Sequence, residues 1–324
     1  MAPAAGLKGP YDILAISPNA AVDSYYLLSG LSVGSVNRAE HVLHTAGGKG
    51  NNLARAVNAL GGRVLSLGIV GGHTGQFILD ALRQEGISAD MVWTENESRR
   101  SSTLIAAGQM QTTVILDSGN RVEPGAGQRL VEKIQDYAAQ APYLVLTGSL
   151  PPELPSRYYA EIVSQAKDFP GLKVCLDCSG EPLRLAVEQG AQVVKVNAKE
   201  FHSSFLGGEG WNPATALEIF TCLEKIGLEL LVITDGPQGA YVFSSGRSPF
   251  RVFTRVEQWV STAGAGDTFM AGLLLGLGRG SSLEEAACYA SAAAAAQLQQ
   301  VVCGSLRRED LERFLPVTSV EMVF

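Results

Sequence analysis

The stretch Tyr143-Leu144-Val145-Leu146-Thr147-Gly148-Ser149-Leu150-Pro151-Pro152 decides the fold. Its first four residues are uniformly apolar, as a strand buried on both faces requires, and the run then breaks into small, polar and proline residues. Helical spacing of apolar residues resumes over residues 156–167, and a second apolar run follows at 172–176. Strand, polar loop, helix and strand make the repeating unit of a parallel sheet. The unit recurs on both sides. Apolar runs at 11–16, 63–70, 192–196 and 229–233 alternate with helical patterns at 51–60, 74–85, 128–140, 182–189 and 213–226. The chain is therefore expected to be α/β, a doubly wound, mostly parallel sheet. Two regions, about 22–44 and 101–122, alternate apolar and polar residues with no crossover helix between, and are expected to form a small β-sheet lid. One domain over 11–324, after a flexible N-terminus at 1–10, accommodates all of this.

Composition narrows the function. Of 324 residues, 46% are hydrophobic and 18% charged, ordinary for a globular chain. Lys and Arg number 25 against 32 Asp and Glu, a net charge of −7. An acidic chain with no basic run beyond Arg99-Arg100 and Arg307-Arg308 does not suit nucleic acid, so an anionic ligand must be held locally. Residues 286–298 are Ala-rich and too short and polar to span a bilayer, and residues 1–10 lack the apolar core of a signal peptide. Five cysteines without framework spacing fit reduced thiols and a cytoplasmic location. The pair Cys175 and Cys178 has the C-x-x-C form, but residues three apart on a strand point to opposite faces. We read it as structural.

In open α/β sheets ligands bind beyond the carboxyl ends of the strands. The residues expected there are Asn19 to Asp23, Thr147 to Pro152, Asp177, Asn197-Ala198-Lys199-Glu200 and Thr234-Asp235-Gly236. Turn or capping chemistry explains each one singly; together on one edge they mark a cleft. The sharpest segment is Ser261-Thr262-Ala263-Gly264-Ala265-Gly266-Asp267-Thr268-Phe269, small residues running into a helix. Free N–H groups and the positive helix end favour an anion such as a phosphoryl group. Asp267 on the first turn serves either as a helix-terminal charge or as a base taking a hydroxyl proton. A second small-residue turn, Ala46-Gly47-Gly48-Lys49-Gly50-Asn51-Asn52, opens another helix. It lacks the spacing and the Ser or Thr of a Walker A loop, yet its amides and Lys49 suit an anion. No G-x-G-x-x-G fingerprint supports dinucleotide binding.

These residues resemble the phosphofructokinase-B branch of the ribokinase-like carbohydrate kinases over nearly the whole chain, from about Tyr11 to Leu315. The resemblance is carried by the segment from Gly47 to Arg55 and by Gly264-Ala265-Gly266-Asp267, following Asn197-x-x-Glu200 and Thr234-Asp235-Gly236 in order. Asn19 to Asp23, Gly71 to Gly75 and Thr147 to Pro152 are similar to the hexose-phosphate kinases of that family, the 1-phosphofructokinases and tagatose-6-phosphate kinases. The resemblance implies a ribokinase-like fold, ATP and Mg2+. It makes Asp267 the catalytic base and the amides of Gly264, Ala265 and Gly266 an anion hole. Asp23, Gly47, Gly48, Asn52 and Ser149 would bind the sugar, and Lys49 and Arg100 the phosphate it already carries. Lys195, Asn197, Thr234, Gly236 and Gly239 would border the nucleotide, and Glu200 would serve the metal through water. The implied reaction is phosphorylation of fructose 1-phosphate to fructose 1,6-bisphosphate. Tagatose 6-phosphate, fructose 6-phosphate, or an uncharged sugar or nucleoside are the alternatives. The family pattern departs at Asn19-Ala20 in place of Asn-Pro, at Asn51 in place of an aliphatic residue, and at Ser101 and Ser102. Lid sheets in this family pair between subunits, so a homodimer through the lid is expected; no nucleic acid or membrane partner is.

Overall fold

The computed structural model describes residues 9–106, 112–119, 121–207 and 210–324. In chain order the first half comprises β1 (Ile13–Ser17), β2 (Ala21–Leu28), β3 (His41–Gly47), α1 (Lys49–Ala59), β4 (Val64–Gly71), α2 (Gly72–Gln84), β5 (Ser88–Thr94), β6 (Arg99–Ala106), β7 (Thr112–Leu116) and α3 (Ala126–Ala138). The second half comprises β8 (Tyr143–Thr147), α4 (Tyr158–Ala166), β9 (Lys173–Asp177), α5 (Gly180–Glu188), β10 (Val193–Asn197), α6 (Ala198–Phe205), α7 (Pro213–Glu224), β11 (Leu230–Thr234), β12 (Ala240–Ser244), β13 (Phe250–Thr254), α8 (Ala265–Gly278), α9 (Leu283–Gln297), α10 (Arg308–Phe314) and β14 (Thr318–Met322).

Ten strands form one sheet in the order β14-β13-β12-β11-β10-β9-β8-β1-β4-β5. From β5 to β11 every neighbour is parallel, and β12 to β14 add antiparallel strands at one edge. Both faces are covered, as parallel sheets demand. Side chains of α1, α2, α8, α9 and α10 pack on one face, and those of α3, α4, α5, α6 and α7 on the other. This is the doubly wound, ribokinase-like α/β arrangement expected from the apolar runs. The structure adds to that rhythm. Strand β5 is a half-polar edge strand, β12 to β14 fall outside a scheme of βα units, and the Ala-rich run lies in helix α9. That helix begins with a capping box, Ser282 with Glu285, and its alanines let α8 come close: a Cβ on Gly272 would lie 2.9 Å from the Ala290 Cα.

Strand alternation settles the cysteine pair. Cys175 belongs to the core on one face and Cys178 to the core on the other, both as free thiols. The same alternation puts Asp177 and Lys195 on the face that carries α1 and α8, because Cys175 and Val193 lie there.

A separate four-stranded sheet, β3-β2-β6-β7, stands over the carboxyl edge of the large one. It falls in the regions expected for the lid, although part of the second, residues 107–111 and 120, lies outside the described residues. Among the described residues no helix is long and apolar enough to cross a membrane.

Candidate active site

The site is built where α1 and α8 begin, at the carboxyl ends of β9 and β10. Asp267 is buried at the third position of α8, behind its N-cap Gly264, which takes a φ of 76°. The first helical bond runs from the Thr268 N–H to the Gly264 carbonyl oxygen at 2.9 Å. The N–H groups of Ala265, Gly266 and Asp267 precede it, so they are the orphan donors of the helix start. A Cβ on Gly266 would lie 2.7 Å from the Lys195 ammonium and would displace it. A lysine charge therefore sits directly on the helix N-terminus.

Asp177 holds that lysine. Its carboxylate is fully buried, with Lys195 Nζ at 2.6 Å on one oxygen and Lys49 Nζ at 3.0 Å on the other. Burial pushes the Asp177 acid upward, but the two ammonium groups outweigh it and keep the carboxyl below its ordinary value. Asp267 responds in the opposite sense. Burial first, then the charge of Asp177, push it up to about 7 against the pull of Lys49, Lys195 and a hydrogen bond from Asn52. Two acids thus sit side by side with their proton affinities driven apart, the pattern of a poised base.

Asn197 and Glu200 form a reciprocal capping box on α6: Asn197 Oδ1 accepts from the Glu200 N–H at 2.8 Å, and Glu200 Oε2 accepts from the Asn197 N–H at 2.9 Å. The remaining Glu200 oxygen faces Lys49 at 3.2 Å. Asn197 pairs in register with Thr234 on the next strand, beside the Gly236 turn. Gly239 is explained by packing, because a Cβ would meet the Val252 carbonyl oxygen at 2.2 Å.

On the other side of Lys49 lies a cavity of about 630 Å³, lined by Asn19, Asp23, Gly48, Lys49, Asn52, Arg99, Ser101, the Thr147–Pro152 loop and Glu200, among others. Asp23 accepts hydrogen bonds from the Gly48 N–H and the Ser101 hydroxyl, and burial pushes it up to about 6 against the charges of Arg99 and Arg55. Gly47 lies flat against the Asp23 carboxylate, leaving no room for a side chain. Asn19 Nδ2 donates to Ser149 Oγ at 3.0 Å at the rim. Lys49 lines the cavity, but its ammonium already serves Asp177 and Glu200.

Arg100 is not brought to this cavity. Strands β2 and β6 pair with Ala21 opposite Arg99, Val22 opposite Arg100 and Asp23 opposite Ser101. The face that carries Asp23 therefore carries Arg99 and Ser101, and Arg100 points the other way. It lines a separate cleft of about 160 Å³ with Val22, His44, His73, Thr74 and Phe77. Arg99, half-buried, donates through Nε to the Asn19 carbonyl oxygen at 3.1 Å. The side chains that sequence reasoning overlooked are thus Arg99, Asp177 as holder of both lysines, and Asn51. Asn51 is buried and supports the Gly47-Gly48 turn from below, donating to the Gly47 carbonyl oxygen at 2.8 Å and accepting from Ser66 at 2.7 Å. The period-two spacing of Arg99 and Ser101 was the available signal for the first.

A buried carboxylate at a helix N-terminus with orphan amides, lysines around it and a hydroxyl-lined cavity in front describes a phosphotransferase with an alcohol acceptor. Residues 13–309 match the family model of the pfkB family carbohydrate kinases, and the chain belongs to that family. Among solved structures it resembles phosphofructokinase-2 from Escherichia coli in complex with potassium, at 24% identity over 94% of this chain and 98% of that one, with a TM-score of 0.86. A possible 1-phosphofructokinase from Thermotoga maritima matches at 22% identity over 97% and 100%, with a TM-score of 0.87. Ribokinase from Arabidopsis thaliana, complexed with ribose and ATP, matches at 21% over 94% and 98%, at 0.73.

Proposed function

We propose that this carbohydrate kinase transfers the γ-phosphoryl group of ATP to a hydroxymethyl group of a furanose sugar phosphate, with fructose 1-phosphate as the acceptor and fructose 1,6-bisphosphate as the product. The observation that carries the reading is Asp267, buried on the first turn of α8 beside the orphan amides, under the charges of Asp177, Lys49 and Lys195, and pushed up to about 7. Asp267 takes the proton of the attacking hydroxyl as its oxygen bonds the γ-phosphorus and the bond to ADP breaks. The amides at Gly264, Ala265 and Gly266, with Lys195 above them, receive the charge that spreads over the transferring oxygens. Lys49 lines the cavity while its ammonium pairs with Asp177 and Glu200, so we assign it to the phosphoryl group in transfer rather than to the acceptor's own phosphate.

Asp23, Gly47, Gly48, Asn52 and Ser149 bind the sugar. We assign the acceptor's phosphate to Arg99 in place of Arg100, because Arg99 is the arginine that lines the cavity. Thr234 and Gly236 border the nucleotide. Glu200, whose second carboxylate oxygen is turned from its cap toward Lys49, would reach Mg2+ carried on the nucleotide phosphates through water. Mg2+ bound there would neutralise charge on the β- and γ-phosphates.

The lid leaves Val42, Leu43, Val114 and Ile115 exposed on its outer strands, which supports a homodimer through that sheet. Five free cysteines support a cytoplasmic setting.

The reading is tested by ADP release with MgATP across fructose 1-phosphate, fructose 6-phosphate, tagatose 6-phosphate, fructose, ribose and adenosine. Turnover confined to the phosphorylated hexoses is expected, fastest with fructose 1-phosphate. Turnover with uncharged acceptors alone would keep the kinase and remove the phosphate from the acceptor.

A further inference from the structure

The short segment before α10 packs against both the α8 start and α1, although none of its residues lines the cavity. Cys303 packs on the anion-hole turn so closely that a Cβ on Gly264 would lie 2.7 Å from the Cys303 Cβ, 2.9 Å from its Cα and 3.1 Å from its sulfur. Gly304, at a φ of 79°, lies as closely on α1, where a Cβ would meet the Asn52 carbonyl oxygen at 2.3 Å. The segment is a wedge between the helix start that holds the transferring group and the helix that carries Asn52.

Its backbone is pinned from three directions. The Cys303 N–H donates to the Tyr25 hydroxyl at 3.2 Å, and its carbonyl oxygen accepts from Arg55 Nη1 at 2.8 Å. Gln297 Nε2 donates to the Val302 carbonyl oxygen at 2.9 Å and reaches the Ala263 carbonyl oxygen at 3.4 Å, just before the anion-hole turn. Arg55 also reaches Asn52 Oδ1 at 3.3 Å and the Ala46 carbonyl oxygen at 2.7 Å, and is held by Glu85 at 2.7 Å.

Tyr25 is the one of these that comes from the lid. It lies on β2 two residues beyond Asp23, on the same face, and is 1% exposed. A tyrosine buried this deeply needs a partner for its hydroxyl, and that partner is the wedge rather than the sugar cavity.

We infer that Tyr25 is a positioning residue for phosphoryl transfer, acting through Cys303 to set the Gly264 turn. The strand that grips the acceptor through Asp23 thereby also fixes the amides that receive the transferring group. The inference rests on the kinase reading above, and it concerns the anion hole rather than the acceptor's identity. Without the Tyr25 hydroxyl, the Cys303 N–H is left buried and unpaired and the turn loses its lid-side support. The loss should appear in the transition state and not in ground-state binding, because neither Tyr25 nor Cys303 lines the cavity.

The test compares Tyr25→Phe with wild type in the full chain. The expected result is a fall in kcat of about tenfold, the scale of a small misplacement of catalytic groups, with KM for ATP and for the acceptor within about twofold. Affinity for MgADP with aluminium fluoride, which mimics the transferring phosphoryl group, should fall alongside kcat, while affinity for MgADP alone holds. Wild-type kcat and aluminium fluoride affinity in Tyr25→Phe would overturn the inference, as would a rise in KM for the acceptor with kcat unchanged. The aluminium fluoride measurement needs no acceptor. Failure of wild type to phosphorylate any sugar phosphate would instead count against the acceptor assignment.

Discussion

Replacing Asp267 by asparagine lowers kcat at least about 10²-fold while MgATP continues to bind, as the loss of a positioned base predicts. The substitution keeps the shape of the side chain and its place at the third position of α8, so the orphan amides and Lys195 remain. What disappears is the one group near the helix start with a proton affinity near neutrality. Asp177 cannot take over, because its two oxygens are committed to Lys49 and Lys195 at 3.0 and 2.6 Å. Removing the Asp267 charge leaves Lys49 and Lys195 against Asp177 and Glu200, one negative charge fewer than before, which favours the triphosphate and makes weaker ATP binding an unexpected outcome. Equilibrium binding of ATP and steady-state ADP release on the same preparation separate these effects. Turnover near wild type would remove Asp267 from the chemistry.

The second large effect distinguishes adjacent arginines. Arg99→Ala raises KM for a phosphorylated acceptor by about 10- to 100-fold, the equivalent of roughly 1.5–3 kcal/mol for hydrogen bonds to a charged group. Arg100→Ala changes it by less than about twofold, as is usual for an exposed side chain on the far face of the strand. Arg99 also lowers the proton affinity of Asp23, so its loss leaves Asp23 more readily protonated and weakens the grip on the sugar hydroxyls in the same direction. KM for ATP is expected to hold in both variants. A large effect from Arg100 with none from Arg99 would place the acceptor's phosphate in the outer cleft with His44 and His73.

The contrast shows what a sequence does and does not reveal. Buried parallel strands announce themselves as apolar runs, so seven strands' worth of rhythm, less the half-polar β5, was legible from β1 to β11. Strands β12 to β14 were not, since antiparallel edge strands need no crossover helix and carry no such rhythm. Which arginine enters the cavity depends on β2 lying beside β6 with Asp23 opposite Ser101, a register between segments far apart in the chain. Asp177 was legible as a polar residue after a strand, but its partner Lys49 is 128 residues away. The Asn197-x-x-Glu200 spacing was legible as capping chemistry, whereas the turning of the second Glu200 oxygen toward Lys49 depends on a contact between segments far apart in the chain.

The central claim is that Asp267 is a base held near neutrality by burial and by Asp177, and the pH dependence of kcat/KM for fructose 1-phosphate tests it most directly. A base must be ionised to act, so a proton affinity raised to about 7 places the loss of activity on the acid side. The expected profile is flat above about pH 8, bends near 7 toward unit slope, and steepens below about 6 as Asp23 also takes a proton. In Asp267→Asn the inflection near 7 disappears from the residual activity. A wild-type profile level from pH 8 down to pH 5.5, or the same inflection retained in Asp267→Asn, would contradict the account.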